Sequence, residues 1–196
     1  MNDVDIKHGW RRPIFGLLQA SLLHEWLRDE GSLSARIVNH FQHFNLVRLN
    51  LRLARPHADE TALLRVRAQS YVLVREVILR DGTTPLIFAH TVVARGAVQS
   101  AWQQLRNLGT RPLAQILFND PKISAGCLSF RHLNTAHPLM AKIKQHLPTL
   151  KSQRYWARRR VFEKGGQRLI VTEVFLDAIT EGNLNAVTAG QSHHAR

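Results

Sequence analysis

Residues 70–79 and 85–93 are two β-branched, aromatic-containing runs on either side of Asp81-Gly82. Glycine supplies the positive φ that a tight reversal demands, so the stretch predicts an antiparallel hairpin. Successive side chains of a strand alternate between faces, which puts Tyr71, Leu73, Arg75, Val77 and Leu79 on one side. Arg75 therefore interrupts an apolar stripe. A guanidinium keeps its proton, and burying it without an anion is costly. Two partners are open: a carboxylate on a neighbouring strand, which spacing alone favours, or the carboxylate of a ligand gripped by the bidentate fork.

A second hairpin is expected over 154–164 and 167–176, turning at Gly165-Gly166. Its second strand carries Glu173 on a face with Val171 and Phe175, where a carboxylate needs a cation, a donor or a proton. Arg75 and Glu173 either pair across the sheet or hold opposite ends of one small ligand.

The rest of the chain supplies the other elements. Leu22, Leu23, Trp26 and Leu27 have helical spacing within 20–29, and Ser32 is a suitable N-cap for a helix over 33–41. Residues 44–54 alternate as a strand whose phase slips around Val47 and Arg48, as a bulge would produce. Residues 55–60, with Pro56, read as a loop. A helix is expected over 98–108 with Trp102 and Leu105 inward and Gly109 as its stop. A shorter one follows over 110–118 with Pro112 early, then a strand over 128–133 and a helix over 137–146. The sum is an α+β chain with about six antiparallel strands and helices packed on them. Residues 1–179 are expected to form one domain and 180–196 a flexible tail.

A formal charge of +13 on 196 residues is compatible with a nucleic-acid backbone, a membrane surface or an anionic small substrate. The basic residues are scattered, densest over 151–168, with no lysine tail and no basic heptad arm. The aromatic residues sit within apolar strands and helices and form no basic stacking platform, so nucleic acid is not expected as a partner. Residues 14–23 faintly imitate a signal peptide but lack a cleavage pattern and continue amphipathically, so they read as helix. No apolar run is long enough to cross a bilayer. The single cysteine, Cys127, rules out an internal disulfide, suits a reducing cytoplasm and is expected as a small core residue. His40 and His43 lack a second ligand pair and read as a solvated helix face. With no glycine-rich phosphate fingerprint, no HExxH and no paired cysteines, neither a metal nor another cofactor is expected.

Six segments in register resemble the chorismate pyruvate-lyase family. They are residues 71–79 with Arg75-Glu76 at the centre; Asp81-Gly82 followed by Pro85; Thr91-Val92-Val93; Leu108-Gly109-Thr110 through Pro112-Leu113 to Leu117-Phe118; Trp156-Ala157-Arg158-Arg159; and Thr172-Glu173-Val174-Phe175-Leu176. Order and approximate spacing agree from Trp26 to Leu176. The resemblance implies an antiparallel sheet with helices on it, enclosing a ligand away from solvent. It also implies cofactor-independent conversion of chorismate, an anion, to 4-hydroxybenzoate and pyruvate, the first committed step of ubiquinone biosynthesis, in a cytoplasmic monomer. By the same resemblance Arg75 and Glu173 are the catalytic pair: Arg75 binds the ring carboxylate, with the backbone of Leu113 beside it, and Glu173 stands near the hydroxyl. Leu33 contributes through its main chain. Two departures stand out: Leu33 replaces a Met found in some members, and His90 replaces a frequent Arg. Arg158 and Arg159 either supply the missing charge or belong to a basic strand facing solvent. The rival is a non-catalytic aromatic-acid-binding domain of the same fold, as in some bacterial transcription regulators, although residues 1–30 are too short for their helix-turn-helix segment.

Overall fold

Gly82, at φ +54°, turns the chain between β2 (Val72–Asp81) and β3 (Thr84–Ala94), the hairpin at the centre of the computed structural model. The structure describes residues 8–11, 22–150 and 152–179; the expectations for residues 12–21 and for a tail over 180–196 lie outside them. A second hairpin, β6 (Arg154–Lys164) and β7 (Gln167–Phe175), turns at Gly165 and Gly166, both at positive φ. β1 (Phe44–Ala54) pairs with β2, and the register shift between Arg48 and Asn50 is the bulge that the broken alternation predicts.

All pairings are antiparallel, in the order β1-β2-β3-β7-β6, with two short strands sharing the outer edge of β6. These are β4 (Ser124–Ala125) and β5 (Ser129–Asn134), so the sheet has seven strands, one more than expected. The additional strand is two residues long, too short for alternation to reveal.

Each face of the sheet carries its own helices. On one lie α1 (Leu22–Arg28), α2 (Leu33–His40) and the segment 97–118, which ends in α4 (Ala114–Leu117). Trp26, Leu27 and Ile37 pack there on Val77, Leu79 and Phe175, while Trp102, Leu105 and Leu117 pack on Val93, Phe162 and Leu169. Full burial of each large apolar side chain contributes roughly 1.5–3 kcal/mol. On the opposite face lie α3 (Ala58–Leu64) and α5 (Pro138–His146), over Ile78, Phe88, Val92, Ile170 and Val174.

The local differences from expectation have physical causes. Residues 58–64 are helical, not loop: the Glu60 carboxylate accepts from the backbone N–H of His57 at 2.8 Å and caps the first turn. The helix expected over 98–108 is two 3-10 turns, Ala97–Gln99 and Gln103–Asn107, interrupted by Ser100 at φ −127° and ψ −98°. Trp102 and Leu105 are buried regardless, the indole N–H donating to the carbonyl of Gln167 at 3.1 Å. The helix expected over 110–118 shortens to α4. Cys127 is exposed, because it falls in the crossing between β4 and β5 and not in a strand.

Candidate active site

Strand pairing assembles the site row by row. Leu51, Arg75, Thr91 and Val171 are consecutive neighbours across β1, β2, β3 and β7. One row further along, Val77, Ala89, Glu173 and Arg158 are neighbours across β2, β3, β7 and β6. Both rows face α1, α2 and α4. With strands about 4.8 Å apart and two residues spanning about 6.7 Å, the Cα atoms of Arg75 and Glu173 lie roughly 12 Å apart.

Arg75 is 3 % exposed. One terminal nitrogen, Nη2, donates to the carbonyls of Gly109 at 3.2 Å and Arg111 at 3.0 Å. Gly109 holds φ +57°, which brings the loop after the 3-10 turns back over the strand. Nε has no hydrogen-bond partner, and among the described residues no carboxylate pairs with this guanidinium. Burial, reinforced by the charge of Arg48, pushes its pKa down to about 10. This is a buried cation held by backbone carbonyls.

Glu173 does not pair with Arg75. Its carboxylate accepts from Nε of Arg158 at 2.6 Å, so the reading of an internal Arg75–Glu173 ion pair is set aside. Arg158, 3 % exposed, also donates to the carbonyls of Trp26 (3.1 Å) and Asp29. Arg160 does the same one row away, to the carbonyls of Gly126 at 2.6 Å and Glu30 at 2.7 Å. Two arginines of β6 thus fasten the α1–α2 link over the sheet. The reading of Arg158 and Arg159 as a solvent-facing basic strand is likewise corrected, since Arg159 is 2 % exposed on the other face.

Between sheet and helices is a cavity, partly open to solvent. Leu33, Arg75, Leu113 and Glu173 all line it, as do Arg158 and Arg160. Leu33 opens α2 behind the Ser32 cap, whose hydroxyl accepts from Ala35 N at 3.2 Å, and Leu113 immediately precedes α4. Val77, Leu79, Ala89, Leu117, Phe162 and Val171 make the remaining surface largely apolar. Such a chamber suits a small, flat, anionic molecule with a polar group opposite its carboxylate.

The reverse face of the same strands holds a second charged cluster. Glu76 and His90, neighbours across β2 and β3, meet at 3.0 Å through Nδ1, and His90 Nε2 meets Glu60 of α3 at 3.0 Å. A carboxylate at each ring nitrogen favours the imidazolium form of His90, which donates from both. Lys142 binds Glu76 from α5, and Arg159 binds Asp59 at 2.9 Å, so three buried acids meet three cations. His90 therefore faces away from the cavity and supplies no charge to it.

His57, Glu60 and His90 have ligand atoms close enough for a metal ion. The His57 and His90 rings are stacked, however, with an interplanar angle of 8° and centroids 5.1 Å apart. A metal lies in the plane of each imidazole that binds it, so an ion placed correctly for one ring is displaced from the plane of the other. The cluster is a salt-bridge network, and its residues do not fit a shared ion.

Sequence alone does not single out Arg160 and leaves two roles open for Arg158. Their signal was the alternation of β6, which places 158 and 160 on the Phe162 face and Arg159 opposite.

Comparison with known proteins bears on the family and the fold. The family described as chorismate lyase matches residues 8–181. A probable chorismate pyruvate-lyase of Nitrosomonas europaea is 38% identical over 157 residues, 80% of this chain and 88% of that one. The protein of the same description from Thiobacillus denitrificans is 32% identical over 174 residues, 89% and 91% of the two chains. Among solved structures, the C-terminal domain of PhnF superposes with a TM-score of 0.54 at 12% identity, covering 72% of this chain and 87% of that one. A GntR-family transcriptional regulator from Bacillus cereus gives 0.50 at 12%, covering 71% and 96%. These last likenesses concern the fold alone.

Proposed function

Since this chain belongs to the chorismate lyase family, we propose that it eliminates pyruvate from chorismate to leave 4-hydroxybenzoate, the aromatic acid that opens ubiquinone biosynthesis. The observation that carries the reading is Arg75: a buried guanidinium without a carboxylate partner among the described residues, on the wall of a largely apolar chamber that also holds Glu173.

In this reading Arg75 takes the ring carboxylate bidentately, with the backbone at Leu113 beside it, and the ring lies along Val77, Ala89 and Val171. The separation of Arg75 from Glu173 accommodates a six-membered ring with substituents at both ends. Glu173 receives the ring hydroxyl, and the main chain at Leu33 closes the chamber. The reaction removes the hydrogen from the hydroxyl-bearing carbon and breaks the adjacent ether bond. The electron pair of that C–H bond completes the aromatic sextet, and the enolpyruvate that leaves takes up a proton to become pyruvate. Aromatisation makes the step downhill, so the protein's contribution is orientation, exclusion of water and stabilisation of the departing anion. Arg158 holds Glu173 in place and fastens the α1–α2 link.

Purified protein mixed with chorismate alone is expected to release an aromatic acid, followed by its absorbance, and pyruvate in equal amount. Tight binding of 4-hydroxybenzoate without turnover of chorismate leads instead to the reading of a binding domain of the same fold.

A further inference from the structure

The last paired residues of three neighbouring strands are Ala54, Val72 and Ala94, so Arg55, Tyr71 and Arg95 stand together one residue beyond them. Arg65 and Arg67 lie in the link that leads from α3 to this end of β2, and Arg52 is nearby on the edge strand β1. All five arginines are exposed, and among the described residues none has an acidic partner. The two acids on the same end of the sheet are already matched: Glu163 with Arg168 at 3.1 Å and Asp120 with Lys164 at 2.8 Å. A large part of the chain's excess positive charge is thus concentrated at one pole.

That pole also carries two of the exposed large hydrophobic side chains, Tyr71 at 51 % and Leu53 at 43 %. Arg55 lies over the Tyr71 ring, 4.4 Å from its centroid. An amphipathic ring and an aliphatic side chain surrounded by arginines is the composition of an interfacial contact with anionic lipid: the ring sits at headgroup depth while the guanidiniums meet phosphate. Nucleic acid fits less well, because the one exposed ring here is covered by Arg55 and leaves no platform for bases. None of the helices in the described residues is long and apolar enough to cross a membrane, so the contact is peripheral.

We propose that the Arg55–Tyr71–Arg95 end of the sheet docks the protein on membrane surfaces rich in anionic phospholipid. The inference is independent of the chemistry in the cavity, since none of these residues lines it.

The test is sedimentation of the full chain with vesicles of phosphatidylcholine containing phosphatidylglycerol, beside vesicles of phosphatidylcholine alone. Binding is expected only to the anionic vesicles and is lost at high salt. Each arginine near the surface accounts for roughly five-fold in partitioning, so Arg55→Glu with Arg95→Glu weakens it by at least about 30-fold. Lys144→Glu with Arg154→Glu, an equal change in charge at exposed positions away from this pole, leaves it within a few-fold. An unchanged melting temperature in both double variants shows that they are folded. Absence of binding to anionic vesicles overturns the proposal, as does equal weakening by the two double variants, which marks a non-specific effect of net charge. Tighter binding to random-sequence DNA than to vesicles, lost in the Arg55/Arg95 variant, assigns the pole to nucleic acid instead. A salt-dependent kcat/KM lowered by that variant without vesicle binding reduces the pole to steering an anionic substrate.

Discussion

Arg75 and Glu173 line one cavity from strands separated by β3, and each finds its partner elsewhere: Arg75 in two backbone carbonyls, Glu173 in Arg158. Opposite charges left apart within a folded core retain the capacity to act on a third body. The consequences can be measured at each residue.

Arg75→Met is expected to separate stability from function. It removes a buried cation with no carboxylate partner among the described residues, whose pKa is depressed by burial and by Arg48, so the melting temperature holds or rises by an amount equivalent to about 1 kcal/mol. The same change lowers kcat/KM by roughly three orders of magnitude, the scale of a lost buried ionic contact. Thermal denaturation and steady-state assays on one preparation decide it, and a normally active Arg75→Met enzyme removes Arg75 from the site.

Glu173→Gln keeps an acceptor for Arg158 and removes the negative charge. We expect kcat to fall by at least about 10²-fold, with KM changed only a few-fold. An unaltered kcat restricts Glu173 to holding Arg158.

Ala89→Leu adds three carbons to the cavity floor beside Glu173, where there is open space. The fold tolerates the added apolar volume, while affinity for 4-hydroxybenzoate drops by more than ten-fold because the ring and the new side chain compete for the same place. Calorimetric titration reads the affinity, and urea denaturation reads the fold.

The network behind the sheet sets the pH limits of stability. Burial pushes the His90 pKa down, but the Glu60 and Glu76 carboxylates outweigh it and the net shift is upward. Its contribution is complete below the unfolded value of about 6.5 and disappears as pH rises through the raised folded value. Burial pushes Glu60 and Glu76 up, and their cationic partners bring both well below the usual carboxylate range. Their contribution is present above an unfolded value of about 4 and is lost as pH falls below it. Melting temperature should therefore decline on both sides of this interval. His90→Leu, which leaves two acids facing an apolar side chain, costs about 3–5 kcal/mol in urea unfolding and removes the decline on the alkaline side.

Strand alternation made much of this legible before any coordinates. It placed Arg75 among Leu73 and Val77 and Glu173 between Val171 and Phe175, and it located both hairpin turns and the β1 bulge, because these are properties of neighbouring residues. Pairing across the sheet was not legible. That Glu173 meets Arg158 depends on β6 lying beside β7, and that His90 meets Glu60 depends on a helix at 58–64 that a nearby proline concealed. Cys127 was misplaced for a related reason: an apolar neighbourhood in sequence extended past the end of the strand.

The bulge at Leu49 shows that the edge strand absorbs an extra residue. Between the central strands β2 and β3 the register shifts only beside the hairpin turn, at Leu79/Arg80, and pairing is continuous from Val72 to Leu79. Arg75 and Glu76 are consecutive, as are Arg158 and Arg159, and each couple is divided between the chamber and the salt-bridge network. Deleting one residue of β2 ahead of this couple would turn Glu76 towards the chamber and Arg75 towards the salt-bridge network, upsetting the charge balance of both compartments at once. Point substitutions can adjust this protein, but a change in residue count within Val72–Leu79 would exchange the two faces of β2.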